Sequence, residues 1–192
     1  AAEQLSAGKK VLYLNFSICN GFCKSMGLEP DVDMGDLFYL LREDEEALLA
    51  KLKSGIYPLG SYQIIPPPSN PEHYMEWRKG EVRHFLEILL EKTDFEVLVL
   101  DMGCVMNGFF EVLDLCGRIW ILKEHRTSKD SGIEELRELL EKFKAGLEER
   151  VEEVFLPGGQ AWREDGTIQV EEFYMGEVGN CVRRLLGGEY AS

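Results

Sequence analysis

The chain has 192 residues, which is long enough for one domain with a sizeable core and short for two. Its formal net charge of -14 argues against nucleic-acid binding, because that binding depends on lysines and arginines that neutralise phosphates. No apolar run approaches the roughly 18 residues of a membrane-spanning helix. These features predict a globular domain that neither binds nucleic acid directly nor spans a membrane.

The cysteines favour neither a disulfide framework nor a zinc site. Their number is odd, and no two of them form a C-x-x-C pair. We expect all five to be free thiols in a reducing cytoplasm. They are Cys19, Cys23, Cys104, Cys116 and Cys181.

The first half of the chain alternates short apolar runs with helical patterns. The pattern predicts, in order, a helix end, a buried strand, two helices, a short strand and a long helix. Asp33 or Asp36 is expected to cap the first full helix. Prolines end the second strand, because proline cannot donate to a strand ladder. The predicted bounds are 1–7, 11–16, 37–41, 43–55, 61–65 and 69–92.

The second half continues this alternation. Strands are predicted at 95–100, 118–122 and 151–156, and helices at 110–115, 133–147 and 173–186. This order is typical of an α/β domain with a doubly wound, mostly parallel sheet and helices on both faces. We expect strands 11–16, 95–100, 118–122 and 151–156 to be neighbours in one sheet.

Asp101 and Gly103 directly follow the most apolar strand, Phe95–Leu100. In open α/β sheets, ligands bind beyond the carboxyl ends of the strands. A carboxylate there offers Mg²⁺ the hard oxygen ligand that it prefers. The sequence therefore favours Asp101 as a metal ligand, and the alternative is that Asp101 only caps the following segment.

The order of these segments resembles the ParA/MinD group of deviant Walker-A P-loop ATPases, and most closely its CpaE-like branch. The first ten residues resemble the end of the helix that follows the phosphate loop, and VLYLNFS resembles the next strand. FEVLVLDMG resembles the Walker B strand, and RIWILKEH the strand after it. VEEVFLPGG resembles the strand and loop beside the adenine, and GEVGNCVRRLL the last helix.

The resemblance implies ATP and Mg²⁺ as ligands. It makes Asp101 the carboxylate that holds the metal through water, and it puts Asn15 and Ser17 beside the attacking water. The nucleotide contacts would come from Asn20, Gly103, Pro157 and Gly158. For Ser17 and Asn20, ordinary turn chemistry is the alternative.

The sequence departs from the family pattern in two places. The glycine- and lysine-rich phosphate loop would fall immediately before Ala1, so we expect residues 1–192 to be one α/β domain from the C-terminal part of a longer protein. The two aspartates of the family's strand are replaced by Asn15 and Ser17. Because an amide cannot accept a proton from water, ATP hydrolysis stays an open question.

Two functions follow from the resemblance. The first is the nucleotide-binding domain of a cytoplasmic positioning or regulatory ATPase, which would form a homodimer, have protein partners and carry a response-regulator receiver-like domain in front. The second is a degenerate pseudo-ATPase that has kept the fold as a protein-interaction or signalling module.

Overall fold

The computed structural model describes residues 1–17, 21–103, 105–123, 131–157 and 174–186. Strands and helices alternate along these residues. Their bounds are α1 (Ala2–Leu5), β1 (Val11–Asn15), α2 (Phe22–Ser25), α3 (Met34–Glu43), α4 (Glu45–Gly55), β2 (Tyr57–Leu59), β3 (Tyr62–Ile65), α5 (His73–Glu76), α6 (Glu81–Lys92), β4 (Val97–Asp101), α7 (Phe109–Leu115), β5 (Ile119–Lys123), α8 (Ser131–Phe143), a 3₁₀ helix (Glu148–Arg150), β6 (Val151–Phe155) and α9 (Glu177–Leu185).

The strands are mostly parallel, which confirms the predicted fold class. Four of them form a sheet in the order β2-β3-β1-β4, in which β1 is parallel to both β3 and β4. The edge strand β2 pairs with β3 in the antiparallel direction. The last two strands, β5 and β6, form a parallel pair.

The expectation that all four predicted main strands share one sheet is wrong. Within the described residues β5 and β6 form a separate two-stranded sheet that has no ladder with β4. The two sheets nevertheless share one hydrophobic cluster with α1 and α9, against which Val97 and Val99 of β4 and Trp120 of β5 pack.

Several apolar side chains of β4 and β5, the strands on either side of the division between the sheets, are partly exposed to solvent. Val97–Leu100 of β4 are all only half-buried, although a Val/Leu run in a parallel sheet is normally buried on both faces. Leu122 of β5 is 60% exposed. Both strands that border the division between the two sheets therefore have side chains that the described residues cover only in part.

The main core lies on one face of β1. Its largest side chains form an aromatic group in which the rings of Phe38 and Trp77 stack with their centroids 4.1 Å apart. The helix α3 begins in this core with the predicted cap. The side chain of Asp33 accepts hydrogen bonds from the backbone N–H groups of Gly35 and Asp36, and the side chain of Asp36 accepts one from the backbone N–H of Asp33.

The predicted helix over residues 69–92 is two helices, so the prediction of one continuous helix is wrong. After α5, Trp77 turns to an extended conformation and its ring enters the core. Gly80 then adopts a left-handed conformation with a φ of 85° immediately before α6. The burial of one tryptophan thus overrides the helical pattern.

Further features of the described residues bear on the predictions. Cys23, Cys116 and Cys181 are free thiols, whereas Cys19 and Cys104 lie outside the described residues. Among the residues that the structure describes, we find no helix with the length and apolar character needed to cross a membrane.

Candidate functional site

Asp101 lies at the carboxyl end of β4, beside the carboxyl end of β1. In the parallel ladder Asn15 is the register partner of Asp101. The backbone N–H of Phe16 donates to the carbonyl of Asp101 at 2.8 Å and extends the pairing by one step. Two neighbouring strands therefore bring the predicted residues Asn15, Ser17, Asp101 and Gly103 together.

Ser17 reaches the Asp101 carboxylate because Gly103 has no side chain. The Ser17 hydroxyl donates to Asp101 Oδ1 at 3.4 Å, which is a long hydrogen bond. A Cβ atom on Gly103 would lie 2.0 Å from Ser17 Oγ and 2.6 Å from Ser17 Cβ. Gly103 thus makes room for the hydroxyl that accompanies Asp101.

Asn15 is almost completely buried and its oxygen atoms are in use. The residue is only 1% exposed to solvent. Its side-chain Oδ1 accepts a hydrogen bond from the backbone N–H of Ser17 at 2.8 Å. Its backbone carbonyl accepts from the hydroxyl of Tyr74 at 3.1 Å. In this arrangement the Asn15 amide shapes the turn that presents Ser17.

Tyr13 is a site residue that sequence reasoning missed. Its hydroxyl donates to Asp101 Oδ2 at 2.7 Å. Burial and the neighbouring Asp101 carboxylate raise the pKa of Tyr13 far above its ordinary value, so the phenol stays protonated. The alternation of the strand places Tyr13 on the same face of β1 as Asn15, but the bond to Asp101 depends also on the register of β1 against β4.

The oxygen atoms around Asp101 fit a hydrated Mg²⁺ better than a metal cage built of protein ligands. Asp101 is exposed, and the Ser17 hydroxyl is its neighbour. No group of three or more histidines, cysteines and acidic residues that could hold a metal occurs in the described part of the chain. Mg²⁺ commonly keeps several waters and takes one or two carboxylates together with substrate phosphates.

Pro157 lies elsewhere, at the carboxyl end of β6. It lines a surface cleft of about 550 Å³ whose other wall comes from α9, with Glu177, Asn180 and Arg184. The cleft thus offers an apolar floor with one acidic, one amide and one basic side chain. The predicted contacts Asn20 and Gly158 lie outside the described residues.

Comparison with known proteins gives matches only at the level of structure. No protein-family model matches the sequence, and no curated protein matches it either. The fold is similar to a ParA family ATPase from Chlorobium tepidum, with a TM-score of 0.58, 18% identity and coverage of 81% of this chain and 65% of that one. The chain has a fold of the ParA/MinD type.

Two further similar structures contain a protein partner or a bound nucleotide. The MinC:MinD cell division complex of Aquifex aeolicus matches at a TM-score of 0.57 and 15% identity, over 90% of this chain and 67% of that one. Cobyrinic acid a,c-diamide synthase of Mycobacterium smegmatis, solved with an ATP analogue and magnesium, matches at a TM-score of 0.53 and 15% identity. The match covers 81% of this chain and 67% of that one. The present chain therefore spans about two thirds of the length of such proteins.

Proposed function

We propose that the chain is the nucleotide-binding domain of a ParA/MinD-type positioning or regulatory ATPase of the CpaE-like branch, which acts in the cytoplasm. Asp101 would hold a hydrated Mg²⁺ of Mg-ATP, with Ser17 and Asn15 beside the water that attacks the terminal phosphate. Gly103 and Asn20 would border the phosphates, and Pro157 and Gly158 the base. Mg²⁺ would supply charge neutralisation for the phosphates.

One observation carries the proposal. An exposed carboxylate and a serine hydroxyl meet at the carboxyl ends of two adjacent parallel strands, in a fold shared with ATPases. This is the edge at which ligands of open α/β sheets bind. The cleft beside Pro157 adds a surface of suitable size for a base.

The phosphate-binding segment would come from residues that precede Ala1. Support comes from the half-buried run Val97–Leu100 and the exposed Leu122 on the two sides of the division between the sheets. A strand inserted there would cover both and would lead into α1, which packs over the same region. A phosphate loop at the end of such a strand would supply the backbone N–H groups that bind a triphosphate.

Hydrolysis would be slow because of Asn15. An amide can orient a water molecule but cannot accept its proton. In addition, the Asn15 oxygen is already bonded to the Ser17 N–H. The amide at position 15 also supports the second candidate function. This candidate is a pseudo-ATPase that no longer hydrolyses ATP and serves as a protein-interaction module or a homodimer subunit.

The first test compares ATP binding by residues 1–192 with binding by the natural full-length protein, using isothermal titration. We expect negligible binding by residues 1–192, whose net charge of -14 repels an anion, and Mg-ATP binding by the full-length protein. Asp101→Asn should weaken the binding in the presence of Mg²⁺ and have little effect in its absence. The control is Asp31→Asn, which removes the same charge from an exposed loop.

The second test addresses turnover of the full-length protein. Asn15→Asp should raise the steady-state hydrolysis rate with little change in affinity, because a water-orienting group acts in the transition state. Tight ATP binding by residues 1–192 would show that the site lies elsewhere in the chain. Absence of binding by the full-length protein would favour the interaction module.

A further inference from the structure

The contact between Tyr13 and Asp101 has no role in the function proposed above. The Tyr13 hydroxyl donates to Asp101 Oδ2 at 2.7 Å. Packing holds the phenol ring, since its centroid lies 5.4 Å from the ring of Phe22 and 6.3 Å from the ring of Tyr62. The position of the donor is therefore fixed by its aromatic neighbours as well as by the carboxylate.

The two carboxylate oxygens of Asp101 have different surroundings. Oδ2 receives the short bond from Tyr13, whereas Oδ1 faces the Ser17 hydroxyl at 3.4 Å. A short O–H bond to a carboxylate is strong, and a bond at the longer distance is weak. Oδ1 is thus the oxygen that remains available to a further ligand on the side where Ser17 and Asn15 lie.

A hydroxyl donor and a cation compete for the same negative charge. The positive end of the O–H dipole offsets part of the charge on the carboxylate, and a cation that binds at Oδ2 must displace that hydroxyl or share the oxygen with it. We propose that Tyr13 weakens divalent-cation binding at Asp101 and directs the cation, or its bound water, to Oδ1. This inference rests on the proposed function, because it takes Asp101 as the metal-binding carboxylate.

A purely structural role for Tyr13 gives a different expectation. A buried phenol generally needs a hydrogen-bond partner, and Asp101 supplies one. In that case Tyr13→Phe would alter the stability of the chain and leave cation binding unchanged. The affinity for a cation therefore separates the two roles.

The test is a Mn²⁺ titration of ¹⁵N-labelled residues 1–192, followed through paramagnetic broadening of the backbone amide signals of residues 15–17 and 101–103. We expect Tyr13→Phe to lower the midpoint of broadening about tenfold, which corresponds to about 1.4 kcal/mol. Tyr62→Phe is the matched control, because it removes a neighbouring phenol and keeps the bond to Asp101. Asp101→Asn should abolish the local broadening in both the Tyr13 and the Phe background.

A second measurement uses the unmutated chain. With ¹³Cζ-labelled tyrosine and Mg²⁺, the Tyr13 signal should shift with the same midpoint as the amide of Asp101, because a cation at Oδ1 draws negative charge from the whole carboxylate and weakens the hydrogen bond at Oδ2. A Tyr13 signal that stays in place while the Asp101 amide shifts would contradict the proposal.

The outcomes separate this inference from the proposed function. If broadening depends on Asp101 but Tyr13→Phe binds Mn²⁺ equally or more weakly, the role of Tyr13 is wrong and the metal role of Asp101 stands. If no broadening depends on Asp101 in either background, both proposals are wrong.

Discussion

The strands β1 and β5 are alike in sequence and differ in burial. Both are short, parallel and apolar, with the sequences VLYLN and IWILK. Leu12 and Leu14 of β1 are 0% exposed, whereas Leu122 of β5 is 60% exposed. The strand β1 pairs on both edges, and β5 pairs with β6 alone in the described residues. Burial of a strand thus depends on its neighbours as much as on its composition.

The same leucine-to-alanine change in the two strands gives the largest expected contrast. Leu14→Ala removes a fully buried side chain and should lower the free energy of unfolding by roughly 2–5 kcal/mol. Leu122→Ala removes a largely exposed one and should change it by less than about 0.5 kcal/mol. Chemical denaturation of both variants measures the difference. Equal losses would show that the exposed side of β5 is covered in solution.

The same contrast marks how far sequence reasoning reaches. Apolar runs and caps are local signals, so five of the six described strands and a helix cap at Asp33 or Asp36 could be predicted directly, whereas the short edge strand β2 was not predicted. Strand pairing is a contact between distant segments, so the division between β4 and β5 had no local signal. The break at Trp77 depended likewise on a tertiary contact, the stacking of its ring on Phe38.

The candidate site shows the same limit. Asp101 could be predicted from its place after an apolar strand, and the structure puts Asn15, Ser17 and Gly103 around it. The bond from Tyr13 could not be predicted, because it needs the register of β1 against β4. The roles of these residues toward a nucleotide stay predictions, since identities of 15–18% to solved structures establish the fold alone.

Two glycines give the next contrast, one in the site and one before β5. A Cβ on Gly103 would lie 2.0 Å from Ser17 Oγ and 3.0 Å from its backbone Cα, whereas a Cβ on Gly117 would meet nothing within 4 Å. Gly103→Ala should therefore destabilise the chain by about 1–3 kcal/mol, and Gly117→Ala by much less. Thermal unfolding monitored by circular dichroism compares them. A neutral Gly103→Ala would mean that Ser17 moves freely away from Asp101.

Two arginine–glutamate pairs give the smallest contrast and a pH dependence. On the side of the four-stranded sheet, Glu81 accepts from Arg42 Nε at 2.9 Å and Nη2 at 2.8 Å, with side chains 16% and 24% exposed. On β5 and β6, Arg118 contacts Glu152 with side chains 48% and 41% exposed. Because solvent screens the second pair more, we expect Glu81→Gln to cost about 1 kcal/mol at pH 7 and Glu152→Gln less than about 0.5 kcal/mol.

The sign of the pH effect follows from Glu81. The hydrogen bond from Arg42 holds the pKa of Glu81 below its ordinary value of 4.5. The unfolded chain then binds the proton more readily, so the contribution of the pair is present above pH 4.5 and is lost as the pH falls through the lowered pKa. Unfolding free energies measured from pH 7 down to strong acid should therefore converge for the unmutated chain and Glu81→Gln. Curves that stay parallel would mean that the charge of Glu81 contributes nothing, and that the more buried side of the molecule has no electrostatic advantage over β5 and β6.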